Sequence, residues 1–168
     1  MPPVPRDWAD PFLEQAREDL KAAWALVDAN PCPAPSTLCM LIQMVFEKLA
    51  KAAFARAGLV VPKNHQVATR LFLMLTRHPS GKAILTVYPN VEQFITDLEN
   101  AHPAVAGKQI PPWPQLEYPW EDTATGIIQY PAQHLYLVRR VQDPKDRITL
   151  DCLKFASAME KQLTSIIP

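Results

Sequence analysis

Proline is the residue that most constrains how this chain can fold. The sequence holds 18 prolines in 168 residues, and proline is excluded from helix interiors although the first turn accepts it. The proline-free stretches therefore predict helices at 12–30, 36–61, 63–78, 90–102, 132–143 and 145–167. Residues 79–90 and 103–131 carry eight prolines between them and are predicted as loops. The run AILTVY at 83–88 has no partner strand, so we expect coil or helix there.

The predicted helices differ in how much of their surface is apolar. The first and the last are amphipathic, because their apolar residues recur at three- and four-residue steps. The second is apolar nearly all round, which predicts a central and largely buried helix. Ser36 is its predicted N-cap and Gly58 its predicted C-terminal stop. Asn90 and Asp143 are the predicted starts of the fourth and sixth helices.

The composition excludes several classes of protein. A length of 168 residues with 48% hydrophobic content predicts one domain over residues 1–168. Basic and acidic residues balance at 17 each, so the chain has no overall basic field that would attract nucleic acid. The three cysteines are odd in number and show no CxxC spacing, which argues against a disulfide framework and against a zinc site. Without an apolar leader or a run of ~18 apolar residues, we expect a cytoplasmic protein with no membrane span, metal or cofactor.

A row of polar residues interrupts the apolar second helix. Gln43, Glu47 and Lys51 stand at positions i, i+4 and i+8, which places them in one line along the helix. Glu47 and Lys51 are also in the favourable order for an ion pair. One interpretation is that the row is the solvent-facing seam of a mostly buried helix. The other is a polar groove between helices.

The same helix carries a resemblance to a known family. The segment QMVFEKLAKAAF, followed by KNHQVATRLFLML, resembles the HEPN domain, the "higher eukaryote and prokaryote nucleotide-binding" family. The matching residues are Gln43, Glu47, Lys48, Lys51, Lys63 and His65. The opening helix FLEQAREDLKAAWALV, the QYP at 129–131 and the closing helix at 145–167 are also similar to the family's pattern, which leaves about 79–128 as an insertion.

The resemblance implies an all-α, up-and-down helical bundle of four to five main helices with a proline-rich, loop-rich insertion at 79–131. It also implies binding of a nucleotide or RNA, a homodimer, and a possible nucleotidyltransferase-type partner protein, within a toxin–antitoxin or defence system. The implied binding residues are Gln43, Glu47, Lys51, Lys63, His65, Gln129 and Tyr130.

A catalytic pattern is matched only in part. Family members that cut RNA resemble one another in an arginine followed, after four to six residues, by a histidine. Here Gln129 and His134 have that spacing, and His134 is the candidate catalytic residue. Because a neutral amide lacks the charge that stabilises a phosphate transition state, we expect binding without cleavage. The alternatives are a metal-independent endoribonuclease with a degenerate arginine-histidine site and a structural, partner-binding helical dimer.

Two further features lie outside the central helix. Asn64 is a plausible N-cap that would place Lys63 and His65 at the positive end of the third helix, where an anion could bind. The aromatic residues Trp113, Tyr118 and Trp120, set among prolines, could stack on bases or attach their loop to the domain. His78 and His102 each precede a proline and are assigned no role.

Overall fold

Two long helices form a hairpin at the start of the chain, and the other elements pack around the second helix. The computed structural model describes residues 8–106, 108 and 114–167. The hairpin consists of α1 (Ala9–Asp28) and α2 (Pro35–Arg56). The later elements are α3 (Ala68–Leu75), α4 (Pro79–Val87), α5 (Val91–Asn100), α6 (Pro103–Ala106), β1 (Trp120–Glu121), β2 (Ile128–Gln129), α7 (Pro131–His134), α8 (Tyr136–Gln142) and α9 (Ile148–Ile166).

The core lies where α2, α3 and α9 meet. The Phe46 ring of α2 lies 6.0 Å from that of Phe72 and 5.5 Å from that of Phe155, and all three side chains are buried. Aromatic rings at such separations bury large apolar areas and attract one another weakly. Helix α2 contacts α1, α3, α5, α7, α8 and α9. The predicted all-α bundle with a central second helix is therefore confirmed.

The ends of α2 show one prediction wrong and one confirmed. The N-cap is Ala34 and not Ser36, because Pro35 occupies the first helical turn, where its missing N–H costs nothing. At the other end Gly58 has a φ of +66°. Its N–H donates to the Ala55 carbonyl, and the Leu59 N–H donates to the Phe54 carbonyl. This is the Schellman arrangement, which requires the left-handed conformation that glycine adopts without strain.

The predicted loop at 79–90 is wrong, since most of it is α4. Pro79 lies in the first turn of α4 and Pro89 follows its end, so neither interrupts the helix. The sharp turn from α3 into α4 depends on Gly81. A Cβ at this position would lie 2.4 Å from the Leu75 carbonyl oxygen. The AILTVY run is thus mainly helical, and helix was one of the two conformations predicted for it.

The helix start predicted at Asn90 is confirmed, whereas the start predicted at Asp143 is wrong. Asn90 occupies the N-cap position of α5 but makes no side-chain capping bond. Helix α9 begins at Ile148, later than expected, because the Asp146 carboxylate accepts the Ile148 N–H at 2.9 Å. Asp143 instead accepts the Lys145 N–H in the preceding turn.

The segment after α6 contains a small hairpin within the predicted loop. Strands β1 and β2 pair antiparallel, with Trp120 opposite Gln129. The Trp120 side chain is buried in the core, whereas Tyr118 is exposed. Trp113 lies outside the described residues. None of the helices within the described ranges has the length and apolarity that crossing a membrane requires.

Candidate functional site

The polar row of α2 lies inside the protein and not on a solvent-facing seam. Both residues are polar and stand on the central helix α2, yet Gln43 is only 2% exposed and Glu47 only 8% exposed. They line a cleft of about 330 Å³, named here the Glu47 cleft. Its polar lining consists of Gln43, Glu47, Lys48, His65, His102 and Glu117. The interpretation as a polar groove therefore fits the geometry.

Glu47 holds three neighbours together at the floor of this cleft. Lys51 Nζ donates to Glu47 Oε1 at 2.7 Å, one helical turn away on α2. Gln43 Nε2 donates to Glu47 Oε2 at 3.3 Å from the turn before. His65 Nδ1 lies 3.0 Å from Glu47 Oε2 and comes from the loop between α2 and α3. The carboxylate thus fixes one histidine and orders the whole polar row.

The ionisation of Glu47 follows from these contacts. Burial alone raises the pKa of Glu47, but the hydrogen bonds and charges of Lys51 and His65 outweigh it and hold the pKa below its ordinary value of 4.5. Glu47 is therefore a carboxylate at neutral pH and can only accept hydrogen bonds. Because a carboxylate cannot donate, the Gln43 nitrogen and the His65 Nδ1–H must both point at it.

His102 joins the cleft from the end of α5, and the sequence offers no sign of it. Its ring stacks on that of His65, with centroids 4.2 Å apart and planes inclined by 15°. The His102 Nδ1 accepts the Ala104 N–H at 3.1 Å, so the ring proton is on Nε2. Burial and the neighbouring His65 lower the pKa of His102 below 6.5. His102 is thus a neutral ring that presents an Nε2–H donor at neutral pH.

Lys48, which lines the cleft, and Lys51, which pairs with Glu47 beside it, are already neutralised by carboxylates. Lys48 donates to Asp19 of α1, and both side chains are largely buried. Lys51 is paired with Glu47 in the same way. The rest of the lining is apolar and consists of Met40, Met44, Pro103 and Leu116. Methionine thioethers adapt readily to flat or irregular surfaces. The interior of the cleft therefore suits a flat, uncharged group better than a phosphate.

The expected anion site at the start of α3 is wrong. Helix α3 begins at Ala68 with Val67 as its N-cap, so Asn64, Lys63 and His65 belong to the preceding loop. The Glu99 carboxylate of α5 occupies this helix end instead. It accepts the Ala68 N–H at 2.7 Å and the Thr69 hydroxyl at 2.9 Å. A buried carboxylate already satisfies the positive end of α3, where a second anion would be repelled.

Lys63 is the unpaired cation that lies nearest in sequence to His65 of the cleft. Its side chain is exposed and makes no ion pair or hydrogen bond with the described residues. It stands two residues before His65 in the loop that borders the cleft. Lys63 could therefore meet a charged group outside the cleft, but the structure does not join it to Glu47.

The second predicted group, around His134, is separate from the Glu47 cleft. The His134 ring packs edge-on against Tyr130 at 4.8 Å, and its Nδ1 accepts the Tyr130 N–H at 3.1 Å. Gln129 Nε2 donates to Asp122 Oδ2 at 3.1 Å across the β hairpin. Gln129 and His134 make no hydrogen bond with each other in the described part of the chain. None of the three lines the cleft.

The described residues hold no group of metal-binding side chains. Over residues 8–106, 108 and 114–167, no three histidine, cysteine or acidic side chains are arranged to hold a metal ion. Cys32, Cys39 and Cys152 are free thiols, and burial raises the pKa of Cys39 to about 12. A thiol with so high a pKa does not form the reactive thiolate at neutral pH.

The comparisons with known proteins identify the family. The HEPN domain matches residues 9–104, a region that holds α1 to α5, Gln43, Glu47, Lys63, His65 and His102. The match runs through 79–104, which the sequence resemblance left out, and it stops before 129–131 and 145–167. No curated protein and no solved structure matches the chain. Because the match covers more than half of the 168 residues, this chain belongs to the HEPN domain family.

Proposed function

We propose that this chain is a nucleotide- or RNA-binding HEPN domain that does not cut RNA, and that the Glu47 cleft is its binding site. The observation that carries the proposal is the buried polar row, with Glu47 bonded at once to Gln43, Lys51 and His65. Buried polar groups cost free energy unless they are paired or used. Their convergence in one cleft is typical of a ligand site.

The cleft would bind the base of a nucleotide, and the residues at its border would bind the phosphate. The base would lie in the cleft, in contact with its apolar side chains and with the stacked rings of His65 and His102. The phosphate would stay outside, because Lys48 in the cleft and Lys51 beside it are paired with Asp19 and Glu47. Lys63, exposed and unpaired among the described residues, is the proposed phosphate contact.

Cleavage is not part of the proposal because the arginine-histidine pair is incomplete. Gln129 is neutral and is engaged by Asp122, so it supplies no charge to a phosphate in the transition state. His134 Nδ1 accepts a backbone N–H from Tyr130, which ties up one of its two ring nitrogens. We keep Gln129, Tyr130 and His134 as a proposed secondary contact surface for RNA.

The family membership also supports a proposal about partners. HEPN domains are associated with nucleotide or RNA binding and are often paired with nucleotidyltransferases. We therefore propose that the chain forms a homodimer and binds a nucleotidyltransferase-type protein, as part of a toxin–antitoxin or defence system. Exposed apolar side chains on β2 and α8, Ile128 and Tyr136, offer contact area near the secondary surface.

The test combines binding and cleavage in one set of proteins. Wild type, Lys63→Ala and His134→Ala are titrated with nucleoside monophosphates and a short RNA over a range of salt concentrations, beside an RNA cleavage time course. We expect binding at low salt, a loss of severalfold in Lys63→Ala, and a salt slope smaller by about 1 in that variant. We expect intact RNA in all three samples.

The matched control is Lys145→Ala, which removes another exposed lysine that makes no ion pair in the described part of the chain. It should bind as wild type does. Cleavage by wild type that His134→Ala abolishes would show a working nuclease and contradict the proposal. Absence of any binding at low salt would favour a purely structural role.

A further inference from the structure

A second cavity, named here the Thr149 cavity, lies between the end of α1 and the turn that joins α8 to α9. Its volume is about 750 Å³, within the range of small-molecule sites. It shares no lining residue with the Glu47 cleft. Its polar lining consists of Asp28, Asn30, Gln142, Asp143, Asp146 and Thr149.

The Thr149 hydroxyl is a buried polar group without a partner. Thr149 lies in the first turn of α9 and is 7% exposed. Its Oγ1 makes no hydrogen bond with the described residues. Nearly all buried polar side-chain atoms in native proteins are paired, and an unpaired one costs free energy. Because Thr149 lines the cavity, a ligand held there would supply the missing hydrogen bond.

The charges around the cavity decide which sign of ligand it takes. None of the described residues that line it is a lysine, an arginine or a histidine. The Asp28 carboxylate makes no ion pair or hydrogen bond with the described residues, and Asp143 uses only Oδ1, which accepts the Lys145 N–H. Asp146, by contrast, is paired with Arg140. Two carboxylates therefore keep uncompensated charge at the cavity, and they favour a cation.

The helix ends at the cavity favour the same sign. Helix α1 ends at Asp28, so the negative end of its dipole lies there, and its last turn has no basic residue to compensate. The positive end of α9 also borders the cavity, but Asp146 caps it by accepting the Ile148 N–H at 2.9 Å. An anion would be repelled by this carboxylate and by the end of α1, whereas a cation would be attracted to both.

The aliphatic part of the lining shows which kind of cation fits. It comes from Val27, Leu38, Val141 and Leu150. A hydrated metal ion gains nothing from such side chains, whereas an organic cation can bury a hydrocarbon chain against them and keep its charged end at the carboxylates. An alkylammonium group carries three N–H donors, enough for a carboxylate and for the Thr149 hydroxyl together.

We propose that the Thr149 cavity binds an alkylammonium group, whose N–H donors bond to the Thr149 hydroxyl and whose charge is balanced by Asp28 and Asp143. The site is separate from the proposed nucleotide site and does not depend on it. The ammonium group could belong to a free aliphatic amine or to the side chain of a lysine in another protein. Both present the same charged end on a hydrocarbon chain.

The experiment is a calorimetric titration of the full chain with cadaverine, an aliphatic diamine. Pentanediol has the same chain without charge, and glutarate has a chain of the same length with the opposite charge. We expect cadaverine to bind with an affinity that falls as the salt concentration rises, and neither control ligand to bind. Nα-acetyl-lysine methylamide represents the lysine side chain of a protein, and the tighter binder of the two amines identifies the source.

Two variants test the assigned side chains, each beside a matched control. Thr149→Val keeps the shape of the side chain and removes the hydroxyl, so it should weaken cadaverine binding by at least ~10-fold. Thr164→Val, at an exposed position of α9, should bind as wild type does. Asp28→Asn should weaken binding by ~2- to 5-fold. Asp10→Asn removes the same charge from the other end of α1 and should have no effect.

A measurement on wild type makes the test independent of whether the variants fold. The backbone amide signals of Asp28 and Thr149 in a ¹⁵N spectrum should move on addition of cadaverine and stay in place with glutarate. The signal of His65, in the Glu47 cleft, should stay in place with both.

The outcomes separate this inference from the proposed function. If neither amine binds, or if pentanediol binds as tightly as cadaverine, the alkylammonium site is refuted. If Thr149→Val binds cadaverine as tightly as Thr164→Val does, or if the Thr149 signal does not respond to bound cadaverine, the assignment to this cavity is wrong. Absence of nucleotide or RNA binding would end the proposed function and leave this inference standing, because the two sites share no lining residue.

Discussion

Glu47→Gln is the substitution that tests the buried network most directly. It keeps the shape of the side chain and removes the charge that faces Lys51 and His65. The side chains of Glu47 and Lys51 are only 11% and 14% exposed. Lys51 would then be left as a buried ammonium without its carboxylate, although the amide oxygen of the introduced glutamine could still accept one hydrogen bond.

The expected loss can be worked from this geometry. Removing one partner of a fully buried ion pair costs about 3–5 kcal/mol. Because water still reaches both side chains, we expect about 2–3 kcal/mol for Glu47→Gln, between the buried value and that of a surface pair. For a chain of this length, that corresponds to a fall in Tm of about 4–12 °C.

The assay is urea unfolding followed by circular dichroism, with Glu92→Gln as the control. Glu92 is exposed on α5 and its side chain makes no ion pair with the described residues, so its loss should lie within about 0.5 kcal/mol of zero. The double variant Glu47→Gln/Lys51→Met removes both members of the pair and should recover part of the loss. A Glu47→Gln protein as stable as the Glu92→Gln control would refute the reasoning.

Wild type and Glu47→Gln should also differ in how their stability depends on pH, and the sign of that difference follows from the pKa of Glu47. The pKa of Glu47 is lower in the folded protein than its ordinary value of 4.5. Its stabilising contribution is therefore present above pH 4.5 and is lost as the pH falls through the folded pKa. The difference in stability between wild type and Glu47→Gln should shrink below pH 4.5. A difference that stays constant on acidification would show that the charge of Glu47 is not what stabilises the fold.

Two further predictions concern the neighbouring groups. Glu99→Leu should lose about 1–3 kcal/mol in urea unfolding, because it leaves the buried Ala68 N–H unpaired, while Glu99→Gln should lose less. Burial raises the pKa of Glu99, and the hydrogen bonds from Thr69 and Ala68 offset this only in part. The stability of wild type relative to Glu99→Gln should therefore rise as the pH falls toward 4.5. His102 should show the Nε2–H tautomer and a pKa below 6.5 in ¹⁵N spectra of its ring. An Nδ1–H tautomer, or a pKa above 6.5, would contradict the assigned hydrogen bond from Ala104.

Local rules explain which parts of the fold can be predicted from sequence. The proline-free stretches and their apolar periods locate most of the helices, because proline and helix periodicity act over a few residues. Gly58 ends α2 for the same kind of reason, a single left-handed residue. The wrong loop at 79–90 has a local cause too. Pro79 and Pro89 border α4, and a count of prolines does not distinguish a border from an interruption.

The order of the candidate site along one helix is also determined by the sequence. Gln43, Glu47 and Lys51 face the same way because four residues make about one turn, and the two hydrogen bonds between them follow from that spacing. Whether such a row is exposed or buried depends on what packs against it. The spacing alone therefore left both interpretations of the row open.

Tertiary structure decided the rest, because it joins residues that are far apart in the chain. His102 reaches His65 from the far end of α5, Asp19 neutralises Lys48, and Glu99 occupies the start of α3. Each contact depends on how helices pack, which follows from the whole apolar core and not from any short pattern. These contacts convert a polar row on a helix into a cleft with neutralised lysines, and so determine what kind of group it can hold.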